Sequence, residues 1–250
     1  MPELYAAHAI IFDLDGTLVD SAGDLRAALN ILLKDQGFRS IEAGEIKAMI
    51  GDGVLKLVER GLAAVKGDPT RAPALLPHFL EIYQANPARL TRCYPGVIET
   101  LESLRLANFR MAVVTNKPVA ATKAILRELS LARFFPVIVG GDSVPKRKPD
   151  PAPLLEAARQ LQLNVDKLLM VGDNIHDVEA AHAAGMRCIA VSYGYHHRPP
   201  SEFNADRLID RFDELLSLVI NPIPNRGETG RDPEIVSPTH TFLSGPERHA

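Results

Sequence analysis

Five short apolar runs constrain this fold more than any other feature of the sequence. They lie at residues 8–12, 111–114, 137–139, 168–171 and 188–191. The later runs are separated by stretches of helical period, and strands that are buried on both faces have this continuous apolar character. Strands that alternate with helices form parallel sheets. The sequence therefore predicts an α/β fold, with a doubly wound, Rossmann-like parallel sheet and helices on both of its faces.

The pattern changes between residues 20 and 93, where helical periodicity replaces the strand-like runs. Two apolar stripes are formed by Leu25, Leu29, Leu32 and Leu33 and then by Ile46, Ile50, Val54, Leu57 and Val58. No convincing strand pattern occurs there, and Pro95 is then expected at the entry of a helix that runs to about Ala107. We therefore predict a helical cap over residues 20–93, inserted into an α/β core of residues 1–19 and 94–220.

Residues 221–250 have a different composition from the rest of the chain. They contain five prolines and three glycines, with no sustained apolar period. Such a segment cannot bury enough apolar surface to offset the entropy that is lost on ordering. We therefore predict a disordered tail.

The charge balance restricts the partners of this protein. The chain carries 28 Lys and Arg against 31 Asp and Glu, a net charge of -3, so no strong positive field attracts nucleic acid or an anionic membrane. Its start lacks the features of a secretory signal, and no run approaches the ~20 apolar residues of a bilayer span. We expect a cytoplasmic protein without a nucleic-acid or membrane partner, whose Cys93 and Cys188 are reduced.

Acidic side chains follow two of the predicted strands. Asp13 and Asp15 come after the first apolar run, where residues i and i+2 point to the same side. Two carboxylates ~4 Å apart at an effective dielectric of ~20 repel by roughly 4 kcal/mol, so a proton or a cation has to compensate. Asp173 and Asp177 follow the fourth run, and carboxylate oxygens suit Mg²⁺. If strand order reverses around the first strand, both acidic pairs flank the ligand crevice.

Two further motifs suit the oxygens of a phosphate group. Thr115 and Asn116 follow the strand that ends at Val114, where a hydroxyl and free backbone N–H groups at a helix start can bind phosphate. Lys148 lies in the loop before the helix predicted at residues 154–161, where an ammonium can neutralise anionic charge. Together with the acidic residues, these groups favour phosphoryl transfer.

These motifs, in this order, resemble those of the haloacid dehalogenase superfamily. The resemblance spans roughly residues 10–191 and depends on Asp-Leu-Asp-Gly-Thr at residues 13–17, Thr115, Lys148 and Gly172-Asp173 with Asp177. Within the superfamily, residues 18–21, 50–53 and 94–97 are similar to phosphoglycolate phosphatases. Haloacid dehalogenases lack the carboxylate two positions after the nucleophile, so the presence of Asp15 disfavours dehalogenation.

The resemblance implies a catalytic role for Asp13, Asp15, Thr115 and Lys148, and a substrate-binding role for Asn116. Asp13 would be the nucleophile that forms an aspartyl phosphate, and Asp15 would protonate the leaving alkoxide and then activate water. Thr115 and the N–H of Asn116 would orient the phosphoryl group. Lys148 would offset charge on the phosphoryl oxygens and on Asp13.

The resemblance also implies a magnesium site. Asp13, the backbone carbonyl of Asp15, and Asp173 would bind Mg²⁺. Asp177 would bind the ion through water or hold the other ligands in position.

The predicted cap contains candidates for substrate contact. The turn of Gly51, Asp52 and Gly53 matches the cap loop of the family, and either contacts substrate or only starts a helix. Lys56 and Arg60 are candidates to meet a substrate carboxylate. In the core, we predict that Lys117 is a solvated residue at a helix start and that His176 lies on a loop surface.

The leading functional hypothesis is Mg²⁺-dependent hydrolysis of a small phosphorylated metabolite, 2-phosphoglycolate, to glycolate and phosphate. The alternatives are a hydrolase of another small substrate, such as a sugar phosphate, a nucleotide or pyrophosphate, and a sugar-phosphate mutase. A phospho-acceptor that stores the phosphoryl group without turnover, or a binding protein, would be a different class. Whether the protein is a monomer or a homodimer stays open.

Overall fold

A computed structural model describes residues 4–85 and 88–221, and a six-stranded parallel sheet lies at its centre. The strands are β1 (Tyr5–Ala6), β2 (Ala9–Phe12), β3 (Val19–Asp20), β4 (Arg92–Cys93), β5 (Arg110–Val114), β6 (Val137–Val139), β7 (Leu168–Gly172), β8 (Arg187–Val191), β9 (Arg207–Ile209) and β10 (Val219–Ile220). The order in the main sheet is β6-β5-β2-β7-β8-β9, and all its pairs are parallel. Strand order reverses around β2, as in a doubly wound sheet. The predicted fold class is confirmed.

Helices connect the strands of the main sheet and fill the segment between β3 and β4. They are α1 (Ala22–Asp35), α2 (Ala43–Ile46), α3 (Val54–Ala64), α4 (Ala72–Ala85), α5 (Val97–Leu106), α6 (Val119–Glu128), α7 (Ala152–Leu161) and α8 (Ile175–Ala183). Helix α5 begins two residues after Pro95, because Gly96 adopts a left-handed conformation, with φ of 80°, at its N-cap. Within the described ranges, no helix combines the length and the apolar character needed to cross a bilayer.

Two apolar clusters cover opposite faces of the sheet. Along β2, Ile10 and Phe12 belong to one cluster and Ala9 and Ile11 to the other, and all four are fully buried. Side chains alternate between the faces of a strand, so a strand with helices on both sides needs apolar residues at every position. This is the physical reason for the continuous apolar runs in the sequence.

Helices α1 to α4 form the segment that we predicted as a cap. Helix α4 packs against α1 and α3, and their buried leucines continue the apolar cluster on one face of the sheet. The short strands β3 and β4 lie at the two ends of the segment and pair antiparallel. The two connections between this segment and the rest of the chain therefore run side by side. The division into a core of residues 1–19 and 94–220 and a cap of residues 20–93 stays a prediction. The predicted tail lies outside the described residues, except for Asn221.

The sequence did not predict the shortest strands. Strand β9 extends the sheet beside β8, β1 pairs with β10, and β3 pairs with β4. Four of these strands have two residues, and β9 has only one buried residue, so none of them shows the continuous apolar run that revealed β6. They form because tertiary packing brings unpaired backbone groups together, and these groups need hydrogen-bond partners.

Candidate active site

The candidate site lies where β2, β5 and β7 end. The register places Phe12 opposite Val113 on one side and Val171 on the other. The carboxyl ends of these three adjacent strands therefore meet at one edge of the sheet. Asp13, Thr115 and Asp173 follow directly, and all three are buried.

The loop after β2 packs closely against Asp173. The hydroxyl of Thr17 donates a hydrogen bond of 2.8 Å to Asp173 Oδ1. Gly16 has φ of 91°, and a Cβ at this position would lie 2.1 Å from Asp173 Oδ2. Glycine is therefore needed both for the left-handed backbone and for this close approach. The loop fixes Asp13 and Asp173 relative to each other.

Lys148 is the cation between the buried carboxylates. Its Nζ lies 3.0 Å from Asp13 Oδ1 and 2.6 Å from Asp177 Oδ1, and it donates a 2.8 Å hydrogen bond to the carbonyl of Val114. Burial alone would lower the pKa of Lys148, but the charges of Asp13 and Asp177 raise it above its usual value. Lys148 is therefore held in its charged form at the centre of the cluster.

Burial has the opposite effect on the carboxylates. It raises the pKa of Asp13 to about 6, although Lys148 opposes the shift. Burial also raises the pKa of Asp173 well above its usual range, and the charges of Asp13 and Asp177 contribute to this increase. The folded chain thus holds anionic groups together against both desolvation and mutual repulsion.

Asp177 and Asp173 are held in place by backbone donors. Asp177 Oδ2 accepts hydrogen bonds of 3.1 Å from the N–H groups of Asp173 and Asn174, at the start of α8. Asp173 Oδ2 accepts a 2.6 Å hydrogen bond from the N–H of Tyr195, in the loop after β8. Asp177 therefore anchors both Lys148 and the loop that carries Asp173.

The donor set fits a hard divalent cation. Asp13, Asp173 and Asp177 each offer an oxygen, and these oxygens lie within 4.8 Å of one another. Asp13 Oδ1 is buried without a hydrogen-bond partner, apart from its ion pair with Lys148. Four carboxylates, those three and that of Asp15, face two lysine ammonium groups, which leaves a formal charge of -2. Oxygen ligands and this charge suit Mg²⁺.

The carboxylate of Asp15 lies apart from that cluster, in a separate group of partners. Ser21 Oγ donates a 2.5 Å hydrogen bond to Asp15 Oδ1, and Lys117 Nζ lies 3.1 Å and 2.9 Å from its two oxygens. The prediction that Lys117 is solvated was wrong, because its side chain is only 2% exposed. The aromatic ring of Tyr83 from α4 lies 4.7 Å from Lys117 Nζ. A helix distant in sequence therefore covers this lysine.

The turn between α2 and α3 contacts the motifs of the core. Asn116 Nδ2 donates hydrogen bonds to the carbonyls of Gly51, at 3.1 Å, and Lys148, at 3.0 Å. A Cβ on Gly53 would lie 3.2 Å from the carbonyl of Asn116, and Gly53 has φ of 87°. Gly51 and Gly53 also line the cavity described below. The turn thus lies directly over the loop after β5.

Asp52 is not among the residues that line that cavity, and it forms a charged contact between the predicted cap and the core. Its carboxylate contacts His176 Nε2 and Arg60 Nη2, and it lies 3.4 Å from His197 Nε2. These hydrogen bonds, that of His176 foremost, hold the pKa of Asp52 below its usual range, and Asp52 in turn raises the pKa of His176. The prediction of a loop-surface role for His176 was therefore wrong. Lys56 pairs with Glu59 on an exposed helix face.

A cavity opens between the loops after β2 and β5 on one side and the predicted cap on the other. It has about 400 Å³ of empty space, part of which is open to solvent. Its lining consists of Asp13, Asp15, Leu25, Ile50, Gly51, Gly53, Val54, Leu57, Thr115, Asn116 and Lys117. The predicted nucleophile, the predicted acid and two of the residues predicted to bind phosphate, Thr115 and Asn116, therefore share one cavity, whose opposite wall is apolar.

The sequence analysis missed several residues that support this site. Tyr195 donates its N–H to Asp173, and its hydroxyl accepts hydrogen bonds from the N–H groups of Ser21, at 2.7 Å, and Ala22, at 3.0 Å. A Cβ on Gly194 would lie 2.2 Å from Asp173 Cβ. A glycine and an aromatic residue after the strand at 188–191 were the available signal. Nothing local indicated which carboxylate they contact.

Comparison with known proteins agrees with this geometry. The family model of haloacid dehalogenase-like hydrolases matches residues 10–191. A phosphoglycolate phosphatase of Cereibacter sphaeroides is 43% identical over 213 residues, which cover 84% of this chain and 96% of that protein. The chain therefore belongs to the haloacid dehalogenase-like hydrolases. It is an enzyme similar to phosphoglycolate phosphatases.

Solved structures give the same result. A predicted phosphoglycolate phosphatase from Haemophilus somnus has a TM-score of 0.80 at 32% identity, covering 84% of this chain and 97% of its own. CbbY from Rhodobacter sphaeroides, solved in complex with phosphate, has a TM-score of 0.72 at 29% identity, covering 84% and 96%. A CbbY mutant was solved with xylulose-(1,5)-bisphosphate. The two CbbY structures therefore hold phosphate and a sugar bisphosphate.

Proposed function

We propose that this enzyme hydrolyses 2-phosphoglycolate to glycolate and phosphate through an aspartyl phosphate on Asp13. The observation that carries the proposal is one cavity that Asp13, Asp15 and Thr115 all line, with Lys148 Nζ 3.0 Å from Asp13 Oδ1. The relatives named phosphoglycolate phosphatase support the choice of substrate.

In the first half-reaction, a carboxylate oxygen of Asp13 attacks phosphorus. A bond from this oxygen to phosphorus forms, and the bond to the leaving oxygen breaks. Asp15 donates its proton to that oxygen, so glycolate leaves as the alcohol. Thr115 and the N–H of Asn116 orient the phosphoryl oxygens, and Lys148 offsets their charge.

In the second half-reaction, water attacks the phosphorus of the aspartyl phosphate. Asp15, now ionised, accepts a proton from this water, the bond from phosphorus to Asp13 breaks, and inorganic phosphate leaves. Asp15 therefore regains the proton that it gave to the leaving oxygen, and Asp13 returns as a carboxylate. We propose Asp13, the backbone carbonyl of Asp15, Asp173 and Asp177 as the residues that hold Mg²⁺. When bound, the ion would offset charge on the phosphoryl oxygens.

The test of this function is a panel of phosphate monoesters, assayed for phosphate release with Mg²⁺ and after its removal by a chelator. We expect the highest kcat/KM for 2-phosphoglycolate, loss of activity after chelation, and recovery when Mg²⁺ is restored. The panel includes xylulose-(1,5)-bisphosphate, hexose phosphates, nucleotides and pyrophosphate. Faster turnover of any of these would replace the substrate assignment but keep the reaction class.

The same assay separates the other classes. A mutase would convert a hexose phosphate to its isomer with little release of phosphate. A phospho-acceptor would take up one phosphoryl group per chain and then stop, whereas an enzyme makes many turnovers. Phosphate release far in excess of the protein concentration would therefore exclude storage of the phosphoryl group.

The raised pKa of Asp13 leads to a prediction about metal binding. A proton on Asp13 has to leave before the carboxylate can bind a cation, and its pKa is raised to about 6. We therefore expect the apparent Mg²⁺ affinity to rise at least about tenfold per pH unit below 6 and to level off above it. The raised pKa of Asp173 makes the rise steeper. Calorimetric titrations from pH 5 to 8 measure this profile.

The matched control for this titration is Asp166→Asn. Asp166 is exposed and pairs with the exposed Lys167, at 2.8 Å, so its replacement should leave the profile unchanged. An Mg²⁺ affinity that is flat between pH 5 and 7 would argue against Asp13 as a ligand.

A further inference from the structure

Lys117 lines the cavity and carries a buried ammonium group. This group has no role in the mechanism proposed above. Its side chain is 2% exposed, its Nζ lies 2.9 Å from Asp15 Oδ2, and the ring of Tyr83 lies 4.7 Å away. Burial of a lysine is costly unless the ammonium is paired. The fold therefore maintains a positive charge next to the proposed acid.

The rest of the cavity wall offers no comparable partner to an anion. Among the described residues that line it, Lys117 has the only positively charged side chain. The wall on the side of the predicted cap is apolar, and consists of Leu25, Ile50, Val54 and Leu57. If a substrate carries a second anionic group besides its phosphate, the ammonium of Lys117 is the group in this cavity with which it can form an ion pair.

The two cations that the sequence suggested for this role are otherwise engaged. Arg60 contacts the carboxylate of Asp52 and donates a 3.1 Å hydrogen bond to the carbonyl of Met49. Lys56 pairs with Glu59, and its side chain is 55% exposed. Neither residue lines the cavity.

We propose that Lys117 is the specificity-determining residue that binds the carboxylate of the substrate, and that its ion pair with Asp15 is exchanged for one with this carboxylate when the substrate enters. This inference rests on the proposed function, because it assigns the carboxylate of 2-phosphoglycolate to a residue. The substrate brings its own anion to the ammonium, so the positive charge beside Asp15 is neutralised.

The exchange also explains selection against neutral esters. A phosphate ester without a carboxylate offers Lys117 no second anion, so the ammonium stays paired with Asp15 and makes no ion pair with the ester. The carboxylate-bearing ester gains a charge-assisted contact in a cavity whose opposite wall is apolar. Binding should therefore favour the carboxylate-bearing ester.

The experiment compares 2-phosphoglycolate with 2-hydroxyethyl phosphate, in which a hydroxymethyl group replaces the carboxylate. We expect Lys117→Met to lower kcat/KM for 2-phosphoglycolate by about 10- to 100-fold, chiefly through KM, as for a lost hydrogen bond to a charged group. For 2-hydroxyethyl phosphate, kcat/KM should stay within about threefold. Lys123→Met, on the exposed face of α6, is the matched control and should change neither value.

Two further variants keep the inference testable if Lys117→Met is unstable. Lys117→Gln keeps a polar group near Asp15, and should show the same loss of preference. Lys117→Arg keeps the charge, and should retain most of the preference for 2-phosphoglycolate. Melting temperatures identify the variants that are folded well enough to compare.

Three results would overturn the inference, and one of them would also remove its basis. Equal losses with both substrates would mean that Lys117 acts only by positioning Asp15. An unchanged preference in the folded variants would mean that another group binds the carboxylate. A wild-type enzyme that does not prefer 2-phosphoglycolate over 2-hydroxyethyl phosphate would contradict the proposed function itself.

Discussion

Asp13→Asn should lower kcat for 2-phosphoglycolate by roughly 10³-fold or more, because an amide cannot replace a carboxylate as the nucleophile. Asp13 lies at the end of the central strand, and Lys148 is 3.0 Å from its Oδ1. The substitution preserves the size of the side chain but removes one of the oxygens proposed to hold Mg²⁺. Steady-state phosphate release measures the loss of turnover. Rapid-quench detection of a phosphorylated chain measures the loss of the aspartyl phosphate.

The same variant should not be less stable than the wild type in metal-free buffer. Because burial raises the pKa of Asp13 to about 6, the fold disfavours its ionised form, and stability from this group decreases as pH rises from about 4 through 6. A neutral amide avoids this cost and the repulsion from Asp173 and Asp177. We therefore expect an equal or higher melting temperature at pH 8 without Mg²⁺.

Asp166→Asn makes the same chemical change on the surface and serves as the control. It should leave both kcat and the melting temperature nearly unchanged, because exposed ion pairs contribute about 0–1 kcal/mol. Wild-type turnover by Asp13→Asn would exclude Asp13 as the nucleophile. A loss of activity accompanied by a large fall in melting temperature would point to damage of the fold instead.

Lys148→Ala should reduce both activity and stability. Its Nζ contacts Asp13, Asp177 and the carbonyl of Val114, and removal of this ammonium leaves buried carboxylates without their cation. Breaking a buried ion pair by removing one partner costs about 3–5 kcal/mol. We expect a loss of this size in the free energy of unfolding at pH 8, and a decrease in kcat of about 10²- to 10³-fold.

Lys146→Ala, two positions earlier, is the matched control. Lys146 is 70% exposed and pairs with Asp150 at 2.8 Å, so its removal should cost less than about 1 kcal/mol. Urea denaturation of both variants, followed by assays at saturating substrate, measures the difference. Similar small effects for the two lysines would show that Lys148 is not the central cation of the cluster.

The sequence by itself determined the fold class and the positions of the motifs that we propose to be catalytic. A strand buried on both faces requires an unbroken apolar run, and this signal is local. The predicted runs at 8–12, 111–114 and 168–171 therefore agree to within one residue with β2 (Ala9–Phe12), β5 (Arg110–Val114) and β7 (Leu168–Gly172). Motifs at strand ends follow directly from the positions of the strands. Parallel topology then brings Asp13, Thr115 and Asp173 to one edge without further information.

Only the tertiary structure decided which charges meet. Lys117 and Asp15 are 102 positions apart, and His176 and Asp52 are 124 positions apart, so no spacing rule could pair them. Lys117 was predicted to be solvated because lysines at helix starts usually are, yet Tyr83 from a distant helix covers it. The partner of a charged side chain depends on which surfaces pack together, and this is a property of the folded chain rather than of any local pattern.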